Sequence, residues 1–269
     1  MERAKIAEVE LEYTERGSGE PVVLLHAGLC ASWFEPLLDE PALDGLRLVV
    51  PHRAGYAGST HPSGPVSLED HARHCRGLLD NLGIERAHIV GHSSSANIAL
   101  QLALEAPEVV ASLTLMEPAL LPVPSRAAWG RSVAAHAVER YRAGDRPGAV
   151  DAWMRGVAGD GWREAMESRL PGAFDEAVAD APTFFEQELP AVQAWSFGAE
   201  DAGRIGQPVL AVIGARSHEV SPVWEERQAL VLSWLPQAEP FVLEGATHLL
   251  HVQNPGAMAR ALAAFVSRN

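Results

Sequence analysis

The side chain best placed to do chemistry lies in Val90-Gly91-His92-Ser93-Ser94-Ser95-Ala96-Asn97. An apolar run, residues 87–90, leads through a small residue to Ser93, and a long apolar-periodic stretch follows. The pattern predicts a strand, a sharp turn and a helix, with Ser93 at the tip of the turn. Crowding there demands small neighbours, and Gly91 and Ser95 supply them. A serine hydroxyl is a poor nucleophile at neutral pH. It needs a base to take its proton and a carboxylate to orient that base and balance its charge. The chemistry such a group serves is acyl transfer. The same pattern also fits a helix N-terminus with serine caps, so the surrounding elements have to decide.

Short apolar runs at residues 21–25, 46–50, 87–90, 112–116, 208–214 and 241–243 read as strands, most of them fully buried. Val9, Leu11 and Tyr13 alternate with Glu8, Glu10 and Glu12, as in a strand with one wet face. Helices alternate with these strands. Ser67-Leu68-Glu69-Asp70 looks like a capping box for a helix that stops at Gly83. The helix after Ser93 is closed by Pro107, Ser221-Pro222 starts another, and Asn254-Pro255 caps the last. Alternation of this kind predicts an α/β fold, a mostly parallel sheet with helices on both faces and its site at the carboxyl ends of the strands. From about Leu121 to Phe197 the strand rhythm disappears, and four or five short helices are expected. The predicted organisation is a core of residues 1–120 and 198–269 with a helical cap, 121–197. Four tryptophans fall in the cap: Trp129, Trp153, Trp162 and Trp195. Trp129, Trp153 and Met154 are the candidates for an apolar pocket over Ser93; packing of the cap onto the core is the other reading.

The chain has 269 residues and a net charge of −14, with its acidic residues scattered, which argues against nucleic acid or an anionic membrane surface as a partner. Cys30 and Cys75 have no metal-ligand spacing and read as buried thiols. His61, His71 and His74 lack further ligands at a matching spacing, so no metal site is expected. No apolar signal region follows Met1-Glu2-Arg3-Ala4-Lys5, and no stretch approaches 18 apolar residues. A cytoplasmic protein is the expectation. The oligomeric state is not legible.

The strand–Gly91-His92-Ser93-Ser94-Ser95–helix stretch resembles the nucleophile elbow of the α/β-hydrolase superfamily, serine-nucleophile branch, with serine in place of the last glycine. The resemblance extends over nearly the whole chain. His26-Ala27-Gly28 resembles the loop that contributes to the oxyanion hole, which implies donors at the backbone N–H groups of Gly28 and Ser94. Gly55, Tyr56, Gly58 and Ser59 match a further loop of the superfamily, although His52 stands where it often has Asp. Gly245-Ala246-Thr247-His248 matches its catalytic-histidine loop, implying His248 as base.

The acid departs from the pattern. The superfamily usually carries Asp three residues after the glycine that ends the 208–214 strand, and Ser217 stands there. Two carboxylates are candidates: Glu117, directly after the 112–116 strand, and Glu219. Some superfamily members, including certain dehalogenases and the zearalenone lactonases, place the acid at the first position. A strand end orients a buried acid better than a loop does, which favours Glu117. The alternative for Glu117 is a hinge residue paired with Arg126 or Arg131. The chain is similar to zearalenone lactonases at Ser93, Ser94, Glu117, His248 and Gly28, but not in the cap.

The resemblance implies a serine esterase or lactonase acting through an acyl-enzyme on a small-molecule substrate, with no cofactor required. Thioesterase, carbon–carbon hydrolase and lyase chemistry on the same scaffold remain open, as does a ligand-binding protein with weak turnover.

Overall fold

The structure is a computed structural model that describes residues 1–269. Eight strands form one sheet: β1 (Glu2–Ile6), β2 (Val9–Arg16), β3 (Glu20–Leu25), β4 (Leu46–Pro51), β5 (Ala87–His92), β6 (Val110–Met116), β7 (Val209–Gly214) and β8 (Ala238–Leu243). Their spatial order is β1-β2-β4-β3-β5-β6-β7-β8. The β1–β2 and β2–β4 pairs are antiparallel, and every later pair is parallel.

The central strands are apolar throughout because both faces of the sheet are covered. Val22, Leu24, Val90 and Val212 point to one side, while Val23, Leu25, Ile89 and Ala211 point to the other. Successive side chains alternate across a strand, so each run feeds two cores. β1 was not expected from the sequence. It is a five-residue edge strand whose alternate residues Arg3 and Lys5 are exposed, leaving only Ala4 and Ile6 as apolar signal.

The helices follow local chemistry. Ser67 and Asp70 cap the helix Leu68–Asn81 reciprocally. Asn254 accepts the Ala257 N–H at 3.2 Å and opens the helix Pro255–Val266. The helix expected from Ser221-Pro222 begins one residue later, at Val223, and runs to Trp234. No helix is long and apolar enough to cross a membrane.

Between β6 and β7 the chain forms helices only. The stretch 126–142 is continuous through a π-helical turn, and so is 183–194. Polar contacts fasten this region to the loops at the sheet edge. Glu176 accepts the backbone N–H groups of Ala31 and Ser32 at 2.6 and 3.1 Å and the Ser32 hydroxyl at 2.6 Å. The Thr183 hydroxyl donates to the Gly55 carbonyl at 2.5 Å. These bonds hold the roof over the ends of β3, β5 and β6, where the side chains of interest converge.

Candidate active site

β5 ends at His92, and Ser93 caps the helix Ser94–Glu105 with φ 58° and ψ −121°. A non-glycine residue held at positive φ is strained and persists only where its surroundings fix it. Here they do. Ser93 N–H donates to the Met116 carbonyl at 2.9 Å, and the Ser93 carbonyl accepts from Ala119 N–H at 3.3 Å. Gly91 has to be glycine, because a Cβ there would lie 2.3 Å from the Ser95 carbonyl oxygen and 2.6 Å from Ala96 Cα. Ser95 is fully buried, and its hydroxyl donates to the His26 carbonyl at 2.6 Å, tying the turn to the end of β3.

Glu117 follows β6 directly, is 2% exposed and also has a positive φ, 45°. Its backbone N–H donates to the Val212 carbonyl at 3.1 Å. His248 Nδ1–H donates to Glu117 Oε2 at 2.5 Å. Glu117 Oε1 accepts the Gly214 N–H at 2.9 Å and the Ser217 hydroxyl at 2.5 Å. Ser217, the residue at the superfamily's usual acid position, thus hydrogen-bonds the carboxylate that lies elsewhere. Neither Arg126 nor Arg131 pairs with Glu117. Glu219 is exposed and bound by the Arg216 guanidinium, Nε and Nη2 both donating, which lowers its carboxyl below the usual range. The structure brings Glu117, not Glu219, to His248.

With Nδ1 engaged, Nε2 is the nitrogen of His248 left to act in the cavity. Trp224 stacks on the imidazole with centroids 4.0 Å apart and an interplanar angle of 16°. His92 Nε2–H donates to the His248 carbonyl at 3.0 Å, fixing the loop. Burial drives the His92 and His251 pKa values down, His251 to about 3. Both therefore stay neutral and do not oppose a positive charge on His248. No hydrogen bond joins Ser93 to His248 here, and bonds of this kind commonly tighten only when a substrate is bound.

Ser93 and His248 open into one cavity of about 340 Å³. Gly28 lines it, and its N–H has no protein partner. A Cβ on Gly28 would lie 2.6 Å from the Phe184 ring and 2.7 Å from Glu188 Oε1, so any larger residue has to displace one of those side chains. Ser94 is the first residue of its helix, where N–H groups have no intrahelical acceptor. Trp129, Trp153 and Met154 all line the cavity, whereas Trp162 and Trp195 do not and are buried elsewhere.

Glu188, Trp224 and Arg227 are among the cavity residues that the sequence did not announce. Glu188 is buried, accepts from Arg53 Nη2 at 2.7 Å, and also accepts from the Tyr56 and Ser94 hydroxyls. Trp224 and Arg227 come from the helix Val223–Trp234. Their spacing with Val231 puts all three on the buried face, and an arginine in such a stripe was a readable signal.

The family model described as alpha/beta hydrolase fold matches residues 21–255. A 2-hydroxy-6-oxo-6-phenylhexa-2,4-dienoate hydrolase from Comamonas testosteroni is 35% identical over 131 residues, 43% of this chain and 44% of that protein. The chain spans less than half the length of the first curated relatives it matches. A 2-hydroxymuconate semialdehyde hydrolase from Pseudomonas sp. (strain CF600) is 26% identical over 266 residues, 94% of this chain and 89% of that protein. The solved enol-lactonase from Burkholderia xenovorans LB400 superposes with a TM-score of 0.82 at 20% identity, covering 99% of this chain and 100% of that one. At that identity the likeness shows the fold alone.

Proposed function

We propose that this chain, which belongs to the α/β-hydrolase fold family, is a serine hydrolase that cleaves a carboxylic ester or lactone through an acyl-enzyme. The observation that carries the reading is the 2.5 Å bond from His248 Nδ1 to Glu117, made beside a cavity that Ser93 also lines.

Ser93 Oγ attacks the carbonyl carbon as His248 Nε2 takes its proton. Glu117 holds the ring in the tautomer that can accept and stabilises the imidazolium. Negative charge develops on the carbonyl oxygen and is met by the N–H groups of Gly28 and Ser94. His248 returns its proton to the leaving alkoxide, and the C–O bond breaks. A water molecule then gives a proton to His248, attacks the acyl carbon and releases the acid, restoring the Ser93 hydroxyl. Each residue acts without a metal or organic cofactor in this scheme.

A second reading has a specific support. Several relatives are named as hydrolases of 2-hydroxy-6-oxo dienoates or of 2-hydroxymuconate semialdehyde, so the same serine and histidine would act on such a compound. Hydrolysis of p-nitrophenyl butyrate and of a 2-hydroxy-6-oxo dienoate by wild type and Ser93→Ala tests both. Ser93-dependent turnover of the butyrate supports the ester reading. Turnover of the dienoate alone would replace it, and loss of neither activity in Ser93→Ala would refute the nucleophile.

A further inference from the structure

The cavity holds a cation that no carboxylate of the protein contacts. Arg227 is 5% exposed and lines the cavity together with Ser93 and His248. Its only hydrogen bond runs from Nε to the Leu120 carbonyl at 2.8 Å, leaving both terminal nitrogens without a protein acceptor. It forms no ion pair with a carboxylate. The two acids whose charge it feels are committed elsewhere. Glu117 binds His248, Gly214 and Ser217, and Glu226 accepts the Ser125 N–H and hydroxyl at 2.8 and 2.6 Å. A second guanidinium, Arg126, lines the same cavity and repels it. Burial lowers the Arg227 pKa to about 10, so it remains charged at neutral pH.

Trp224 adds another unmatched donor. Its Nε1–H is buried without an acceptor, while its ring stacks on His248 and lies 5.0 Å from the Arg227 guanidinium. Buried donors left unpaired cost free energy, and an uncompensated buried charge costs more. Here the unmatched groups are all donors, so the missing partner is an acceptor carrying negative charge. A carboxylate fits, since it accepts in two directions and matches the planar guanidinium.

We propose that Arg227 and Trp224 form an anion subsite of this cavity, and that the substrate is an ester or lactone bearing a carboxylate that pairs with Arg227 while Ser93 attacks the other carbonyl. The proposal rests on the hydrolase reading above but has a readout that is independent of it. Arg227, His248 and Ser93 line one cavity, so an anion held by Arg227 also restricts which carbonyl is presented to Ser93.

The catalytic arm compares 4-nitrophenyl hydrogen glutarate with its neutral methyl ester. Wild type should favour the carboxylate by about 10- to 100-fold in kcat/KM, the range a charge-assisted bond provides. Arg227→Gln should bring the ratio near one, mainly through KM, and Arg227→Lys should retain most of it. The binding arm uses Ser93→Ala, with 4-phenylbutyrate and 4-phenylbutyramide titrated by tryptophan fluorescence. The carboxylate should bind about 10-fold tighter or more, and Arg227→Gln in that background should abolish the difference. Equal binding of acid and amide overturns the subsite, even if Ser93-dependent hydrolysis persists. A carboxylate preference without any Ser93-dependent turnover keeps the subsite and refutes the hydrolase. An unchanged ratio in Arg227→Gln also overturns it, and where that variant fails to fold the acid-against-amide comparison in Ser93→Ala alone decides.

Discussion

Replacing Glu117 with glutamine tests the relocated acid most directly. The carboxylate receives three hydrogen bonds: His248 Nδ1 on Oε2, and Gly214 N–H with the Ser217 hydroxyl on Oε1. The amide oxygen of a glutamine can still accept the last two, so the fold around it survives. Its NH₂ then faces His248 and has to donate to Nδ1. That forces the proton onto Nε2, the nitrogen that should accept from Ser93, and removes the negative charge behind the imidazolium. A wrong tautomer of this kind costs about 10⁴-fold in kcat in the well-studied triads, about 5 kcal/mol of barrier. Ser217→Ala is smaller, since it removes one of two bonds to Oε1 and leaves charge and tautomer intact; about tenfold in kcat is expected. Glu219→Gln, at an exposed site paired with Arg216, should stay within about twofold. The assay is steady-state p-nitrophenyl butyrate hydrolysis at pH 7.5 for the three variants and wild type, with circular dichroism to confirm folding. The reasoning fails if Glu117→Gln keeps more than about a tenth of wild-type kcat, or if Glu219→Gln is crippled equally.

Two stability predictions concern the seam between the helical roof and the sheet. Burial lifts the Asp180 carboxyl to about 6 against an unfolded value near 3.8. The folded state therefore holds the proton more tightly, and stability falls as pH rises between those values. Asp180→Asn should stabilise at pH 7 by at most about 3 kcal/mol and give no gain below pH 4, read from urea midpoints across that range; a gain that does not depend on pH would refute the assignment. Arg53→Met should cost about 3–5 kcal/mol, because it strands the buried Glu188 carboxylate. Adding Glu188→Gln should recover part of that loss in the same urea experiment, and no recovery would mean that packing, not charge, is what Arg53 supplies.

The sheet was legible where the chain announces itself through continuous apolar runs, and illegible at β1, where Arg3 and Lys5 dilute the pattern of a short edge strand. Ser93 was legible because steric crowding restricts its neighbours to small residues, and the clash that a Cβ at Gly91 would make with Ser95 and Ala96 is the same constraint in three dimensions. The roof was harder. Trp129 and Trp153 face the cavity while Trp162 and Trp195 do not, although all four are the same residue type in helical surroundings. Helical periodicity tells which face is buried but not against what. The partners of Glu188 illustrate this: Arg53, Tyr56 and Ser94 lie 135, 132 and 94 residues away in sequence.

The exchange at Glu117 and Ser217 has a geometric cause. β6 and β7 are parallel neighbours, with Met116 opposite Val212, so residues just beyond their ends share one edge of the sheet. A carboxylate reaching His248 from β6 needs its second oxygen satisfied, since a buried acceptor without a donor is costly. The Gly214 N–H at the end of β7 and the Ser217 hydroxyl three residues beyond it provide that satisfaction. An aspartate at position 217 would instead place a second negative charge against Glu117 in a buried site, and one of the two would have to take up a proton. Serine at 217 is therefore the complement of glutamate at 117. The positive φ at Glu117 completes the arrangement, turning the chain as it leaves the sheet, while the Glu117 N–H to Val212 bond anchors that turn to β7.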